Sequence, residues 1–392
     1  MKQNGATSVN LYSEFPVAFY GGGEKVILTV SNYLKNRGLS CTVVENSCVR
    51  SQLRVSNDFI KSKLECEVIS ECFHKTGFTR YFRVWFPDMG AVGNNCTSLL
   101  IVRRIPGINY LKKLVDERQK VVFCIHGIAL EDFRIANPLI MFHQILLRLQ
   151  LKRLSRFLYD GSRIYAQTIT LKQSEFLLNR GASPKRVFLI ENGAWTDTGW
   201  PKRNDETFQV VFMGRIENLS KGINTLRNVV QLSFAREMEF KFVIIGSGGD
   251  EKMLSNLPRN AQFLSFVNEE KRSEVLESSN LMLVTSNFSL LDLSAIEALL
   301  NGLPLVTTPT SGLTEIISKD ELYGKISTFR PRDLVSAIDS FYSAWKNNKA
   351  KYFEIKTQIA EKAKKTFEKR GRLSEYFKLV EKVSSNDSIS SA

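Results

Sequence analysis

Residues 208–222 read FQVVFMGRIENLSKG and join a strand-like run to a glycine turn flanked by two cations. The apolar run 208–213 has the length of a buried strand, and Gly214 ends it. Arg215 follows at once, and Lys221 stands six residues later, where a helical pattern starts. Arginine can grip two oxygens of a phosphate while lysine adds a point charge, so this unit predicts a diphosphate site at a strand end.

The same alternation of short strands and helices continues through the second half of the chain. It predicts a parallel sheet with helices on both faces, whose ligands lie beyond the carboxyl ends of the strands. A glycine turn that includes Gly246 stands at such an end. Glu297 lies near the start of a later helix, where a carboxylate can accept from vicinal hydroxyls, and an ordinary surface glutamate is the alternative. The predicted strands are 208–213, 240–245, 262–266, 281–285 and 304–308, and the predicted helices are 222–237, 269–278, 294–301 and 312–317.

The N-terminal half opens with a related unit. Its first strand is followed by Gly21, Gly22 and Gly23 and then by a helical stretch. Unpaired N–H groups at such a turn and the helix dipole favour an anion, although a turn that only packs the strand against the helix uses glycine as well. The elements predicted for this half are a helix at 24–37 and strands at 9–12, 41–45, 81–86, 98–102 and 121–125.

The length of 392 residues suits two α/β domains. Glycine, proline and asparagine between residues 193 and 207 interrupt both periodicities and mark the boundary. We therefore predict an N-terminal Rossmann-like domain over residues 1–195 and a C-terminal one over residues 196–365. A C-terminal helix over residues 366–383 follows, with its return to the first domain left open. Residues 384–392 have too little apolar content to fold and are expected to form a disordered tail.

Charge is distributed unevenly along the chain. The net charge is +14, and residues 1–200 contribute +11 of it, with 27 Lys and Arg against 16 Asp and Glu. This excess indicates either an anionic partner, such as nucleic acid or an acidic membrane face, or generic solubility charge. The sequence contains no motif of a nucleic-acid-binding domain, so we expect no nucleic acid partner.

A basic and apolar helix adds to the membrane hypothesis. Residues 141–159 carry four leucines on one stripe and Arg148, Lys152 and Arg156 on another. Such a helix fits an anionic membrane surface, and a core-packed helix with a solvated cationic face is the alternative. No run reaches the length of a membrane-spanning helix and no signal-peptide core is visible, so we expect a cytoplasmic protein, peripheral on the membrane under the first interpretation. The leucines are Leu147, Leu151, Leu154 and Leu158.

Cysteine and histidine spacing argues against a metal site. All six cysteines lie in the first third of the chain without a C-x-x-C pair, and no histidine is four residues from another. We expect reduced, packed thiols, which is also the state that a cytoplasmic compartment maintains. The sequence therefore predicts no metal and no other cofactor.

Taken together, these motifs resemble the retaining glycosyltransferases of the GT-B fold, in particular the large family-four group known as glycosyl transferases group 1. The resemblance covers nearly the whole chain and rests on order and spacing. It implies an α/β protein of two facing Rossmann-like domains with an interdomain cleft, which moves a hexose from a nucleotide sugar to a glycan or lipid-linked acceptor. Its marks are Gly21-Gly22-Gly23-Glu24, His126-Gly127, Asn192-Gly193, Gly214-Arg215 with Lys221-Gly222, Glu297 through Pro304, and Gly312 with Glu315-Ile316-Ile317.

The resemblance also implies roles for single residues. Arg215 and Lys221 would neutralise the donor diphosphate, and Glu297 would bind the ribose hydroxyls. His126 would reach across the cleft to the donor sugar and would complete a catalytic set with Arg215 and Lys221. The other positions implied in donor binding are Gly22, Gly23, Gly214, Gly246, Phe266 and Val267 near the base, and Ser289, Leu290, Leu291, Asp292 and Leu293.

Two positions depart from the family pattern. The family places a glutamate eight positions before the one that matches Glu297, and this chain has Ser289 there. Serine cannot act as a carboxylate, so the reaction rate, the identity of the donor sugar and even the presence of activity stay open. Asp292 would either compensate for the missing carboxylate or repel a diphosphate. The aspartate that often follows Asn-Gly is replaced by Ala194 and Trp195. A catalytically impaired protein that binds a nucleotide or a glycan as a partner subunit is therefore the alternative to a transferase.

Overall fold

The computed structural model describes residues 7–19, 21–48, 55–76, 84–87, 96–130, 138–193 and 200–385. The chain forms two compact units. Unit 1 contains the residues up to Glu191 together with those from Lys369 onwards, and unit 2 spans Asn192–Glu368. The units divide a few residues before the predicted end of the first domain at 195 and a few residues after the predicted end of the second at 365.

Unit 1 is built on a parallel sheet. The described strands of this unit are β1 (Ser8–Ser13), β2 (Ser40–Asn46), β3 (Glu67–Glu71), β4 (His74–Thr76), β5 (Val84–Phe86), β6 (Cys96–Val102), β7 (Lys120–Ile125), β8 (Ile164–Thr168) and β9 (Val187–Leu189). Seven of them form one sheet in the order β3-β2-β1-β6-β7-β8-β9, and β4 pairs with β5 antiparallel. Every residue of β6 and β7 is buried, as expected for inner strands of a parallel sheet covered on both faces.

The helices of the first 191 residues have identifiable starts. The N-terminus of α2 is capped by the Ser56 hydroxyl, which accepts from the N–H of Phe59 over 3.1 Å. The N-terminus of α5 carries a capping box made by Thr170 and Gln173. These polar groups satisfy N–H groups that the helix itself leaves unpaired. The helices are α1 (Gly22–Asn36), α2 (Asn57–Lys63), α3 (Ile108–Asp116), α4 (Pro138–Ser155) and α5 (Leu171–Leu178).

Unit 2 contains a second parallel sheet. Its described strands are β10 (Gln209–Met213), β11 (Lys241–Ile245), β12 (Ala261–Phe263), β13 (Leu281–Val284), β14 (Leu305–Thr307) and β15 (Gly324–Ile326), in the order β12-β11-β10-β13-β14-β15. The five predicted strands are confirmed, but the one predicted at 262–266 ends at Phe263. The reason is local, because Ser265 takes a left-handed backbone conformation with φ 51°, which extended strands do not contain.

Helices and an aromatic cluster complete unit 2. The ring of Phe208 meets those of Phe240, Tyr342, Trp345 and Tyr352 edge-on, with centroids 5.6 to 6.4 Å apart. This arrangement is the favoured geometry of aromatic pairs and ties the C-terminal helices to the sheet. The helices are α6 (Asn218–Lys221), α7 (Ile223–Ala235), α8 (Glu269–Ser278), α9 (Leu293–Leu300), α10 (Ser311–Lys319), α11 (Pro331–Asn347) and α12 (Lys349–Thr366).

The last helix, α13 (Lys369–Ser385), belongs to unit 1. Ser384 near its end makes a 3.0 Å hydrogen bond with Thr97, and its carbonyl oxygen accepts from the ammonium of Lys120 over 3.1 Å. The prediction that a tail begins at residue 384 is therefore wrong for Ser384 and Ser385, which are anchored by unit 1. The rest of the predicted tail lies outside the described residues.

The cysteine prediction is partly wrong. Cys48 and Cys72 form a disulfide that joins the segment after β2 to the segment after β3. The other four are free and buried, as expected, and they are Cys41, Cys66, Cys96 and Cys124. Sequence spacing could not reveal the pair, because the two cysteines come together only when β2 and β3 pair side by side.

The structure places the leucine stripe of the amphipathic helix in the core of unit 1. Leu147, Leu151 and Leu154 of α4 and Leu158 just after it are buried there, so the interpretation of this stripe as membrane-inserting is wrong. The opposite side of α4 exposes Phe142, Ile145 and Leu149. Lys152 and Arg156 are exposed, and Arg148 donates to the side-chain oxygen of Gln144 over 3.1 Å. Within the described ranges, no helix is both long enough and apolar enough to cross a bilayer.

Candidate functional site

Three neighbouring strands of unit 2, β11, β10 and β13, end in loops that pack on one another. Gly214 after β10 and Gly246 after β11 are in direct contact, since a Cβ atom on Gly246 would come within 1.7 Å of the Gly214 carbonyl oxygen. Gly246 also has φ +150°, a conformation that side chains disfavour. Glycine at 246 is therefore what allows the two loops to meet at the carboxyl edge of the sheet.

The backbone of Lys221 is fixed at this edge by the following turn. Lys221 is the last residue of α6, and Gly222 after it is left-handed, with φ +63°. A Cβ on Gly222 would lie 2.2 Å from the carbonyl oxygen of Thr285, which follows β13. The Thr285 hydroxyl in turn donates to the Lys221 carbonyl oxygen over 2.9 Å. The loops after β10 and β13 are thereby locked together.

Two further side chains join the same loops, and neither was predicted as a site residue. Asn287 donates from Nδ2 to the carbonyl oxygens of Asn218 and Leu219, both over 3.1 Å. Asp250 accepts from the N–H of Asn218 over 2.7 Å. Both residues stand shortly after strands that the sequence did predict. Their position at a strand end is the signal that could have identified them.

Lys221 forms an ion pair with Asp292, and the two side chains are shielded, with exposures of 15% and 10%. The Ser286 hydroxyl donates to the second oxygen of Asp292 over 3.0 Å. Burial alone would raise the pKa of Asp292, but the charge of Lys221 and hydrogen bonds from Lys221 and two serines outweigh it, so the pKa lies below its ordinary value. Asp292 is therefore ionised at neutral pH and pairs with the cation predicted to bind a diphosphate.

The segment that carries Ser289 leads into α9, which begins at Leu293. Leu290 and Leu291 are buried. Gly312, near the start of α10, packs directly on this segment, because a Cβ there would lie 1.4 Å from the Leu290 carbonyl oxygen. The segment thus offers backbone and the Ser289 side chain to this edge, while its two leucines belong to the core.

Glu297 on α9 is only 8% exposed, so it is not the surface glutamate that the alternative interpretation required. Its carboxylate lies 3.5 Å from the guanidinium of Arg272 on α8. Arg272 also lies 3.5 Å from Glu269, one turn earlier on its own helix. Sequence reasoning missed Arg272, because two residues on different helices leave no periodic signal.

Arg215 and Phe266 are the exposed members of the predicted donor set in unit 2. The Arg215 guanidinium lies 3.5 Å from the carboxylate of Glu217 and remains open to solvent. The Phe266 side chain is 52% exposed and follows the end of β12. The neighbouring residue Ser265 accepts at its carbonyl oxygen from the N–H of Gly246 over 2.8 Å. An exposed cation and an exposed ring therefore flank the same carboxyl edge as Lys221.

The glycine turn of unit 1 is arranged differently. Gly21 is the N-cap of α1 and Gly22 is its first residue. Gly23 lies next to the side chain of Ile101 on β6, which a Cβ atom at this position would meet at 3.7 Å. Glu24 is buried, and its Oε1 lies 3.7 Å from the guanidinium of Arg103. A Cβ on Gly21 would come within 2.6 Å of Glu24 Oε2, so this carboxylate folds back over the turn. The helix end predicted to attract an anion already holds one.

His126 follows β7 in unit 1 and is neutral. Its Nε2 lies 3.2 Å from Oε1 of Gln167 and 3.3 Å from the hydroxyl of Tyr376 on α13. The Gln167 amide nitrogen donates to the carbonyl oxygens of Thr168 and Ile190, so its Oε1 accepts and His126 Nε2 carries the proton. Burial lowers the pKa of His126 to about 4, outweighing the opposite effect of the Gln167 hydrogen bond. The Nδ1 atom therefore keeps its lone pair at neutral pH.

The predicted site residues fall into two groups. Arg215, Lys221 and Asp292 come together at the carboxyl edge of the unit 2 sheet, whereas Gly22 and His126 lie at the corresponding edge of the unit 1 sheet. Over the ranges that the structure describes, no group of three or more His, Cys, Asp or Glu side chains is arranged to hold a metal ion.

Comparison with known proteins identifies part of the chain directly. Residues 197–366 match the family described as glycosyl transferases group 1. A stretch of 148 residues is 28% identical to an uncharacterized glycosyltransferase of Methanocaldococcus jannaschii, covering 36% of this chain and 37% of that protein. The chain spans between 36% and 41% of the length of the curated relatives it matches.

Solved structures match over nearly the whole chain. A TarM mutant of S. aureus in complex with fondaparinux, α-GlcNAc-glycerol and UDP superimposes with a TM-score of 0.70 at 12% identity, covering 95% of this chain and 99% of TarM. HepE of Anabaena in complex with UDP and glucose gives a TM-score of 0.66 at 14% identity, covering 96% and 99%. These likenesses establish the fold as GT-B, with two parallel-sheet α/β domains. Residues 197–366 match the glycosyl transferases group 1 family, and the chain that contains them has the GT-B fold.

Proposed function

We propose that this protein is a glycosyltransferase that moves a hexose from a nucleoside-diphosphate sugar to a glycan or lipid-linked acceptor, with retention at the anomeric carbon. The observation that carries the proposal is the carboxyl edge of unit 2, where the strand-end loops fix Lys221 next to Gly214, the residue that precedes Arg215. Family membership of residues 197–366 supports the reaction class.

The charges at this edge suit the leaving group. A nucleoside diphosphate gains negative charge as the sugar departs, and fixed cations lower the barrier where charge develops. Lys221 and Arg215 supply two cations, and the N-terminus of α9 adds its dipole. The reaction proposed here uses no metal or other cofactor, because these groups provide the counter-charge. Asp292 holds the Lys221 side chain in place until the diphosphate takes over part of the interaction.

The nucleoside part of the donor would extend along the same edge. The buried Glu297 carboxylate is proposed to accept from the ribose hydroxyls, with Arg272 beside it as an ion-pair partner. The exposed ring of Phe266, together with Val267, would contact the base. Bound UDP in the structures of TarM and HepE supports uridine as the first base to test.

His126 is proposed to bind the donor sugar from unit 1. Its Nε2 is occupied by Gln167 and Tyr376, so Nδ1 is the atom that would accept a hydrogen bond from a sugar hydroxyl. A neutral ring suits this role, since an imidazolium would donate from both nitrogens. The pKa of about 4 keeps the ring in this form throughout the neutral range.

A second function is favoured by one residue. Ser289 stands where the resemblance implies a carboxylate in contact with the sugar, and the nearby carboxylate of Asp292 is paired with Lys221. A protein with this change would bind the nucleotide without transferring sugar and would act as a nucleotide- or glycan-binding partner subunit.

Binding and turnover separate the two functions. We would record thermal shifts with UDP and a panel of nucleotide sugars, and would analyse reaction mixtures for released nucleotide and for the anomeric configuration of the product. Lys221→Ala should abolish the UDP-induced shift, Ser289→Ala should keep most of it, and the exposed control Lys346→Ala should keep all of it. Binding without turnover would favour the partner subunit, and an unchanged shift in Lys221→Ala would contradict our diphosphate site.

A further inference from the structure

A cavity in unit 1 has no role in the donor site described above. It lies at the carboxyl edge of the unit 1 sheet, between the ends of β1 and β6, which pair in parallel at Tyr12 and Leu100. It is a half-open depression, and its empty space of about 260 Å³ includes open solvent. Both aromatic and charged side chains line it, namely Tyr12, Trp85 and Phe86 together with Glu14, Arg103 and Arg104. We call it the Arg104 pocket.

The charge of this pocket is not balanced by its own walls. Arg103 is engaged elsewhere, because its guanidinium lies 3.7 Å from Glu24 and stacks over the ring of Phe15 at 4.1 Å. Arg104 has no such partner, since its Nη1 is fully buried and no described residue accepts a hydrogen bond from it. A buried guanidinium N–H group without a hydrogen-bond acceptor is rare in folded proteins. Such a group is a candidate for binding an acceptor atom of a ligand.

Glu14 does not fill this role. Its carboxylate lines the same pocket, but within the described residues no ion pair closer than 4 Å joins it to Arg104. Burial raises the pKa of Glu14 above its ordinary value, against the lowering effect of the two arginines, which weakens it further as a counter-ion. Arg104 therefore lines the pocket as a cation with a buried N–H group from which no described residue accepts a hydrogen bond.

The aromatic lining suits a sugar ring. Trp85 and Tyr12 line the pocket, and aromatic rings of this kind are surfaces on which the C–H faces of a sugar pack. Tyr12 adds a hydroxyl that accepts weakly from Asn10 at 3.5 Å. The pocket also neighbours His126, because Gly127 after it packs on the backbone of Arg103, where a Cβ would come within 2.4 Å. A ring, an anion and the proposed sugar-binding histidine can thus share one edge.

We propose that the Arg104 pocket binds the anionic group of a sugar acceptor, a carboxylate or a phosphate, with Arg104 as its ligand and the acceptor ring packed on Trp85. The role of the bound sugar as an acceptor rests on the proposed function. Binding of its anionic group does not depend on catalysis. The carboxylate of a uronic acid and the phosphate of a phosphorylated or lipid-linked sugar are two sources of the same chemistry, and the planar guanidinium can grip either in two-point fashion.

The test compares charged and neutral sugars on the full chain. Ligand-observed NMR titrations would use methyl glucuronide, glucose 6-phosphate and the neutral methyl glucoside. We expect the wild type to bind at least one of the charged probes at least tenfold more tightly than the neutral one. The probe that gains more identifies a carboxylate or a phosphate as the natural group. Equal binding of all three probes would overturn the inference.

Variants assign the effect to the pocket. Arg104→Gln should remove the preference for charged probes, Arg104→Lys should keep part of it, and the exposed control Arg156→Gln should keep all of it. Trp85→Ala should weaken charged and neutral probes alike. If Arg104→Gln folds poorly, Arg104→Lys still tests the site. Loss of the bidentate interaction alone should reduce the preference for charged probes several-fold. Unchanged preference in both Arg104 variants would refute the site.

Failure of the proposed function would look different. UDP binding and its loss in Lys221→Ala report on unit 2, and they should be unaffected by Arg104→Gln. If the charged probes bind but UDP does not, the anion site in the Arg104 pocket would stand and the glycosyltransferase proposal would be contradicted. The bound sugar could then no longer be described as an acceptor. UDP turnover that proceeds equally well with neutral acceptors and in Arg104→Gln would remove the pocket from acceptor recognition.

Discussion

Both units open with a strand, a glycine turn and a helix, yet they hold opposite charges at that turn. In unit 1 the carboxylate of Glu24 folds back over Gly21 and faces Arg103, so the helix end is already occupied by an anion. In unit 2 the corresponding loop ends in Lys221, whose partner Asp292 comes from a different strand end. A glycine turn alone therefore does not identify a phosphate site, because the charged side chains around it decide what it binds.

The largest effect should come from the Lys221–Asp292 pair. Lys221→Met leaves a buried carboxylate without its counter-charge, which should lower the free energy of unfolding by about 3–5 kcal/mol. UDP binding should weaken about a hundredfold or more, since charge-assisted hydrogen bonds contribute about 1.5–3 kcal/mol each. Urea denaturation and calorimetry with UDP measure the two quantities.

The double variant Lys221→Met/Asp292→Asn separates stability from binding. Removing both charges should restore most of the lost stability, because no uncompensated ion stays buried. It should restore none of the UDP affinity. A double variant that binds UDP like the wild type would show that Lys221 is a structural cation only, and unit 2 would then resemble unit 1 in having a closed turn.

The next largest effect should come from reduction of the disulfide in unit 1. Unit 2 has no disulfide of its own, because all six cysteines precede residue 192. The Cys48–Cys72 bond closes a loop with a sequence separation of 24, for which chain entropy predicts a contribution of about 3 kcal/mol. Reduction should therefore lower the melting temperature of unit 1 while the UDP-induced shift of unit 2 persists. Alkylation of the unfolded, unreduced protein should label four cysteines, and labelling of all six would contradict the bond.

Acidification should distinguish the two sites by pH window. The folded pKa of His126, about 4, lies below its ordinary value of 6.5, so the unfolded state binds the proton first and stability falls between these values as the pH drops. The loss should be on the order of 2–3 kcal/mol. The pKa of Asp292 lies below its ordinary 3.8, so its contribution is lost only in more acidic solution.

Denaturation curves at pH 7, 5.5 and 4.5 test these windows. His126→Gln should flatten the decline between pH 6.5 and 4, whereas the exposed control His74→Gln should leave it unchanged. An equally steep decline in His126→Gln would mean that other groups carry the acid sensitivity of unit 1.

The sequence predicted the unit 2 sheet well and the unit 1 sheet less completely. Strands of four to six apolar residues followed by glycine, such as β10, carry a signal that burial on both faces imposes. β9 and β15 are three residues long, too short for any periodicity to show, and all five residues of β3 are exposed, so β3 lacks an apolar pattern. Position in the sheet, not local sequence, determines that these segments become strands.

The sequence predicted which charged residues belong to the candidate site, but it did not predict which of them form ion pairs. The sequence singled out Lys221, Arg215 and Glu297, and each lies at or next to the unit 2 carboxyl edge. Their partners could not be read from spacing, because Asp292 is 71 positions from Lys221 and Arg272 lies on a separate helix. The Arg104 pocket was missed for the same reason, since two strand ends and a hairpin build it together.

The smallest effect should come from Glu24, and it tests the other side of the comparison. Glu24→Gln removes a carboxylate from the N-terminus of α1, worth about 0.3–1 kcal/mol, and a weak attraction to the partly exposed Arg103. It also removes Oε2, which is buried and has no hydrogen-bond partner among the described residues. These opposing effects should leave the free energy of unfolding within about 1 kcal/mol of the wild type.

What should change in Glu24→Gln is the response to anions. With the carboxylate neutralised, the α1 N-terminus and Arg103 become available to an added anion, so rising sulfate at constant ionic strength should stabilise the variant and not the wild type. The exposed Glu71→Gln should behave like the wild type. A variant that ignores sulfate would show that the unit 1 turn is closed by backbone packing and not by its own carboxylate, and the contrast between the two turns would then rest on geometry alone.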